Sequence, residues 1–168
     1  MAVSMYPISV PVFIKHLNGL AGCMKKAQAH YAEKKFDEAS LLGQRLFPDM
    51  FTFARQVQSV SDHAKGCAAL LAGIEAPKYE DNEKSLAELI ARVEKTVEFL
   101  KTIEPARIDG TEDKAITIKM RDRELNMKGV ELLLNRSLPN FYFHTTTAYN
   151  ILRHNGVEIG KRDFMGAA

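Results

Sequence analysis

Four stretches of this 168-residue chain repeat apolar residues at the three- and four-residue spacing that places them on one face of an α-helix. Proline, asparagine and glycine stand where such helices begin or end. The predicted bounds are Pro11 and Lys35, Pro48 and Gly73, Asn82 and Pro105, and Pro139 and Gly156. The four apolar stripes are Phe13, Leu17, Leu20, Met24, Ala27 and Tyr31; Phe53, Val57, Val60, Ala64, Cys67 and Leu71; Leu86, Leu89 or Ile90, Val93, Val97 and Leu100; and Phe141, Thr145, Ala148 and Leu152. Four long helices, each with one apolar face, predict an all-α four-helix bundle.

The periodicity changes between the third and the fourth predicted helix. Ile116, Ile118 and Met120 alternate with other residues, and Leu125 and Met127 repeat that alternation after a short break. A period of two residues is typical of a strand with one buried face. We therefore predict a small β-hairpin between helices three and four, although the intervening residues lack the glycine or asparagine that a tight turn prefers.

Three shorter segments complete the predicted architecture. Residues 36–48 form a short helical connection or loop, and residues 129–137 form a short helix before the fourth long one. The tail after Gly156 is expected to lie across the bundle as a strap whose end frays.

Length and composition favour one globular domain over residues 1–168. The chain is 46% apolar, and a chain of 168 residues can bury roughly 70% of its unfolded surface, so it needs neither a disulfide nor a metal to fold. Cys23 and Cys67 stand alone, 44 positions apart. We interpret them as two buried thiols of a reducing cytoplasm.

Charge and hydropathy exclude two classes of partner. The chain has 23 basic and 21 acidic residues and a net charge of +2, too small for a nucleic-acid-binding surface. The most apolar segment near the start is interrupted by Pro7 and Pro11, and it is too short to span a bilayer. We therefore expect a cytoplasmic protein that binds neither nucleic acid nor membrane.

Polar side chains at the edges of the apolar stripes are the candidates for a site, because a bundle builds sites from facing helices. On helix two, Gln56 and His63 lie about 60° and about 80° from the centre of the stripe. Asn140 and His144 are one helical turn apart on helix four, and Tyr149 adds a hydroxyl nearby. We predict a ligand-binding site of Gln56, Asn140, His144 and Tyr149. A hydrogen-bonded polar cluster without a ligand is the alternative for the same residues.

Asp62 and Lys65 are three residues apart on the far side of helix two. We interpret them as an ion pair exposed to solvent. Phosphate-binding glycine loops, nucleophile elbows, zinc-protease motifs and Cys-x-x-Cys are absent from the sequence.

His144 and the segment after it carry a family resemblance. His144 is followed eight residues later by Leu152 and Arg153 and then by Gly156, which resembles the end of helix four in the DinB/YfiT-like metalloenzyme superfamily. The segments FPDMFTFARQVQ, LPNFYFH and AYNILRHNGVEIGKRDF are more closely similar to an uncharacterised bacterial branch of that superfamily, a domain of unknown function. The resemblance covers nearly the whole chain and implies the four-helix bundle fold.

The resemblance also implies a divalent-metal site. The usual superfamily site has one histidine on helix two and a His-x-x-x-His pair on helix four, around zinc or nickel. His63 matches the first ligand and His144 the last, so these two are the implied metal ligands. Asn140 stands where the remaining histidine is usual. An amide oxygen is a hard, neutral ligand that suits calcium better than zinc, so zinc or nickel binding is weakened here.

Two hypotheses for function follow, and the sequence leaves open whether the protein is an enzyme. In the first, the bundle core holds a small-molecule site that can be assisted by a divalent metal. In the second, the protein is a non-catalytic homodimer whose metal site has decayed into a satisfied polar cluster. A water-accessible cleft at Asn140 and His144 would favour the first hypothesis, and a sealed cluster the second.

Overall fold

A computed structural model of the chain describes residues 4–119 and 122–166. The helices are α1 (Val10–Lys34), α2 (Glu38–Leu42), α3 (Phe53–Ala72), α4 (Leu86–Lys101), α5 (Gly129–Glu131), α6 (Leu138–His154) and α7 (Lys161–Phe164). The strands are β1 (Ala115–Lys119) and β2 (Glu124–Lys128). A 3₁₀ turn covers Pro105–Arg107, and a π-helical turn over Leu132–Ser137 joins α5 to α6.

The four long helices α1, α3, α4 and α6 form the predicted bundle. Helix α3 packs mainly against α6 and α4, and α1 packs mainly against α4 and α6. Every residue of the four predicted stripes is buried, which confirms the assignment of the apolar faces. The rings of Phe13 and Phe141 meet edge to face at the centre, with centroids 4.9 Å apart. The bundle therefore forms because each helix buries the face that its sequence period defines.

Two predicted helix starts were too early, because hydroxyl caps rather than proline or asparagine begin these helices. The Thr52 hydroxyl accepts a hydrogen bond from the Arg55 amide, so α3 begins at Phe53 and not at Pro48. The Ser85 hydroxyl caps α4 in the same way, whereas the Asn82 amide binds Glu80 instead. Gly73 ends α3 as predicted, with a left-handed φ of 69° that glycine adopts without strain.

The predicted hairpin is present. Ile116 lies opposite Met127 and Ile118 lies opposite Leu125, as the alternation of apolar residues predicted. Ile116 is buried against the bundle. Met120, which was assigned to the same face, lies outside the described residues.

The predicted short helix after the hairpin is real but continues into the fourth long helix. The single turn of α5 runs through the π-helical turn directly into α6. A π-helical turn carries one extra residue per hydrogen-bonded ring and so rotates the following side chains around the axis. This rotation decides which residues before α6 face α3.

The tail lies across the bundle as predicted. Helix α7 packs on α1 at Gly19, where a Cβ atom would come within 2.8 Å of the Phe164 carbonyl oxygen. The Lys26 ammonium and the Asp163 carboxylate form an ion pair of 2.6 Å at the same crossing. Among the described residues, no helix is long and apolar enough to cross a membrane.

The interpretation of Asp62 and Lys65 as an ion pair exposed to solvent was wrong. Their side chains do pair, with Nζ and Oδ1 2.9 Å apart, but Lys65 is buried. Arg92 of α4 binds Asp62 as well, at 3.0 Å, and its side chain is only 3% exposed. Helix α4 and the loop before it cover this face of α3, so the pair belongs to a network between helices in which Lys65 and Arg92 are buried and Asp62 is half-buried.

Candidate functional site

The packing of α3 against α6 brings three of the predicted site residues together. The Gln56 side chain and the His144 ring meet in a hydrogen bond of 2.7 Å between Oε1 and Nδ1. The His63 ring stacks on the His144 ring, with centroids 5.5 Å apart and an interplanar angle of 14°. Gln56 and His144 are buried, and His63 is half-buried.

The hydrogen bonds around Gln56 determine which nitrogen of His144 carries the proton. The Gln56 Nε2 group donates to the Phe51 carbonyl oxygen at 3.3 Å. Its Oε1 atom is therefore turned toward His144, where it can only accept. Nδ1 of His144 must then be the protonated nitrogen, and Nε2 keeps its lone pair.

The lone pair on His144 Nε2 is accessible. Among residues 4–119 and 122–166, this atom has no hydrogen-bond partner. It is also absent from the fully buried side-chain atoms that lack a partner, so it keeps contact with solvent. His144 lines an open cleft of about 190 Å³ together with Asp49, Met50, Phe51, Gln56 and Phe143. We call this space the His144 cleft. The first sequence hypothesis named a cleft at both Asn140 and His144, and of these two only His144 lines the His144 cleft.

Aromatic rings hold His144 and form the rim of the His144 cleft. The Phe51 ring is nearly parallel to the His144 ring, with centroids 6.0 Å apart and an interplanar angle of 9°. Phe51 directly precedes Thr52, the N-cap of α3. The Phe143 ring meets His144 edge-on at 5.2 Å. Phe51 and Phe143 are 48% and 55% exposed. The polar ring of His144 therefore lies beside two apolar rings that are exposed to water.

Both histidines of the site are neutral at physiological pH. Burial lowers the pKa of His144, and the Arg55 charge lowers it further. Burial lowers the pKa of His63 to about 4, with smaller contributions from His144 and Arg136 that exceed the opposing effect of Asp62. Neutral imidazoles can accept hydrogen bonds and protons, so the site is basic in the chemical sense without being positively charged at the rings.

The described residues do not fit the three-ligand metal site of the superfamily. Stacked, nearly parallel rings direct the in-plane lone pairs of His63 and His144 along separate planes rather than toward one ion. Asn140 uses its amide nitrogen to bind the Arg136 carbonyl oxygen at 2.7 Å, within its own helix. Among the described residues, no group of three histidine, cysteine, aspartate or glutamate side chains could hold a metal ion. We derive no chemical step through a metal.

The structure places Tyr149 away from the His144 cleft. Tyr149 lines a different cleft of about 160 Å³ with Thr146, Asn150, Lys161 and Phe164, and its ring contacts Phe164 with centroids 5.7 Å apart. Five residues of an α-helix turn the side chain by about 140°, which is why Tyr149 and His144 face different directions. Asn140 stays one turn from His144 and is half-buried.

Sequence reasoning missed three residues of this region. Phe51 and Phe143 form the rim, and Arg136 lies beside His63. An exposed phenylalanine next to a helix cap was the available signal for Phe51. No local signal identified Arg136, because its direction depends on the π-helical turn.

Comparison with known families and structures agrees with this fold. Residues 5–165 match a family described as "Domain of unknown function (DUF1993)". No curated protein matches the chain. A crystal structure of a DinB family member protein from Shewanella denitrificans is similar, with a TM-score of 0.87 and 40% sequence identity over 97% of this chain and 92% of that one.

Proposed function

This chain belongs to the DUF1993 family and has a DinB-like fold, and on that premise we propose that it binds a small organic molecule in the His144 cleft. The ligand class is an aromatic or apolar molecule that carries one O–H or N–H donor. The single observation that supports this proposal is the 2.7 Å hydrogen bond from His144 Nδ1 to Gln56, which leaves the Nε2 lone pair accessible.

The His144 Nε2 atom would accept the donor of the ligand. A neutral imidazole that a neighbouring acceptor holds in one tautomer is a good hydrogen-bond acceptor and a general base. Whether a proton is only shared or fully transferred depends on the acidity of the ligand. The site therefore supports binding directly and catalysis for a sufficiently acidic ligand.

The aromatic rim would bind the body of the ligand. Phe51 and Phe143 line the His144 cleft, and about half of the surface of each is exposed. Covering roughly 100 Å² of this apolar surface would contribute about 2.5 kcal/mol to binding. The Arg55 guanidinium lies over the Phe51 ring at 5.7 Å and pairs with Asp81, so it holds the rim in place.

Cysteine chemistry does not compete with His144 for the reactive role. Burial raises the pKa of Cys67 to about 12 and that of Cys23 to about 11. Both groups are thiols at neutral pH, and a thiol is a poor nucleophile compared with a thiolate. His144 is consequently the residue of this region best suited to accept a proton.

A second candidate function is a homodimer in which another copy covers the His144 cleft. Phe47 is 64% exposed and lies in the same connection between α2 and α3 as Phe51. Exposed apolar surface of this kind is typical of interaction sites. In this alternative, the His63 and His144 pair is what remains of an ancestral metal site.

Phenol is a suitable probe because it combines an aromatic ring with one O–H donor. Long-range ¹H–¹⁵N spectra of the histidine rings should show His144 as the Nδ1–H tautomer. Phenol should shift the His144 Nε2 signal saturably, with a Kd on the order of 1 mM. Gln56→Leu should populate the other tautomer and weaken phenol binding by about 5–10-fold, because one net hydrogen bond is worth about 1 kcal/mol. Tyr149→Phe is the matched control and should change nothing.

Two other results would redirect the assignment. An Nε2–H tautomer without any response to phenol would contradict the proposal. Sedimentation analysis that shows a dimer, with Phe143 protected only in the dimer, would then favour the second candidate. Near-stoichiometric zinc or nickel that disappears in His144→Ala would instead favour the metal ligands implied by the resemblance.

A further inference from the structure

Arg136 is a cation whose charge has no partner in the described part of the chain. It lies in the π-helical turn before α6 and is half-buried. Its carbonyl oxygen accepts a hydrogen bond from Asn140, but no carboxylate of residues 4–119 and 122–166 lies within ion-pair distance of its guanidinium. The five N–H donors of a guanidinium need acceptors, which water or a bound anion can supply.

Arg136 lines a second open cleft between α3, the π-helical turn and β1. This cleft has a volume of about 150 Å³, and its lining includes His63, Cys67, Ile118, Arg136 and Ser137. One water molecule occupies about 30 Å³ in the liquid, so the cleft has room for a carboxylate or a phosphate group. We call it the Arg136 cleft.

The charges around the Arg136 cleft leave it positive. Asp62 also lines the cleft, but Lys65 at 2.9 Å and Arg92 at 3.0 Å already neutralise its carboxylate. The Arg136 charge is close enough to His63 to disfavour protonation of that ring. Among the described residues that line the cleft, the Arg136 cation is therefore the charge that remains to be balanced.

We infer that Arg136, flanked by His63 and Ser137, forms an oxyanion subsite that binds a carboxylate or phosphate group. The planar guanidinium can bind two oxygens of such a group with parallel hydrogen bonds. His63 lines this subsite and also stacks on His144, so the His63 ring lies between the Arg136 cleft and a residue of the His144 cleft. The inference goes beyond the proposed function and does not require the His144 hydrogen bond.

Titration with inorganic phosphate and, separately, with acetate tests the subsite at constant ionic strength. The Arg136 Nε–Hε signal in ¹H–¹⁵N spectra should shift saturably with at least one of the two anions. Arg136→Gln should weaken that binding at least tenfold. Arg136→Lys keeps the charge but cannot form two parallel hydrogen bonds, so it should weaken anion binding several-fold. This variant tests the subsite if Arg136→Gln does not fold.

Arg107→Gln is the matched control, because Arg107 is exposed in the 3₁₀ turn and its loss changes the net charge equally. It should leave anion binding unchanged. His144→Ala should also retain anion binding, so that the subsite and the proposed function can fail separately. No shift of the Arg136 signal with either anion, or equal weakening in Arg107→Gln and Arg136→Gln, would overturn the inference.

Discussion

Replacing Arg92 by alanine is expected to lower the free energy of unfolding by about 3 kcal/mol, because it leaves the nearly buried carboxylate of Glu83 without its cationic partner. The Arg92 guanidinium binds Glu83 at 2.8 Å, and it binds Asp62 and Asp81 at 3.0 Å each. Glu83 has a side chain that is only 9% exposed. Its charge would be the most costly one to leave uncompensated, and thermal or urea unfolding would measure the loss.

The Arg92 network connects three parts of the fold. Arg92 belongs to α4 and Asp62 to α3, while Asp81 and Glu83 belong to the loop between these helices. The Arg92 guanidinium also lies 5.3 Å from the centre of the Tyr79 ring, and it donates to the Glu80 carbonyl oxygen at 3.1 Å. Loss of Arg92 should therefore release the loop from the bundle, not merely remove one ion pair.

Two further variants separate buried charge from surface charge. Lys25→Ala removes an ion pair with Glu94 whose partners are 59% and 51% exposed, and it should cost less than about 1 kcal/mol. In an Arg92→Met background, Glu83→Gln should restore part of the stability, because it removes the unbalanced buried charge. A loss for Arg92→Ala no larger than that for Lys25→Ala would show that the network is not a stabilising element.

Lowering the pH from about 6.5 to about 4.5 is expected to reduce the free energy of unfolding by about 1 kcal/mol through His63. The pKa of His63 falls from an ordinary 6.5 to about 4 in the folded protein, mainly through burial. The unfolded chain therefore takes up a proton in this window that the folded chain does not. One pKa unit is worth about 1.4 kcal/mol, and we reduce the total because solvent partly screens the half-buried ring.

His63→Gln should remove most of this pH dependence, because glutamine does not titrate. The remainder should come from His144 and His16, whose pKa values burial also lowers. His154→Gln makes the same substitution at an exposed position and is the control for the substitution itself. An identical slope in His63→Gln and the unaltered protein would contradict the assignment.

A different group accounts for stability below this window. Burial alone would raise the pKa of Glu83, but hydrogen bonds from Arg92 and Gln58 outweigh that effect and lower it. Its stabilising contribution is present above the ordinary pKa of a carboxyl group and is lost as the pH falls through the lowered value. The histidine and carboxylate contributions therefore occur in separate pH ranges.

The sequence by itself determined the elements that depend on local periodicity. The four apolar stripes, the alternation in the hairpin and the end of α3 at Gly73 are each visible within a few turns of chain. These features are predictable because burial of one face dictates the spacing of apolar residues. The resemblance of the segments around His144 identified the DinB-like family, which the comparisons confirm.

Local signals were less informative about where helices begin and which polar residues meet. Pro48 and Thr52 are both plausible starts for α3, and only the hydrogen bond from the Arg55 amide to Thr52 decides between them. Asp62 and Lys65 look solvent-exposed on an isolated helix. Arg92, 30 residues from Asp62, reaches that carboxylate only when α4 packs on α3, and the same packing buries Lys65.

The chemistry of the site was decided by tertiary structure alone. Gln56 and His144 are 88 residues apart, and the hydrogen bond that selects the His144 tautomer exists only after α3 meets α6. The direction of Arg136 depends on the π-helical turn, which shifts the helical phase by one residue just before α6. A sequence pattern records which face of a helix is apolar, but the contact between two polar atoms depends on the rotation and offset of both helices, which the packing of the whole core determines.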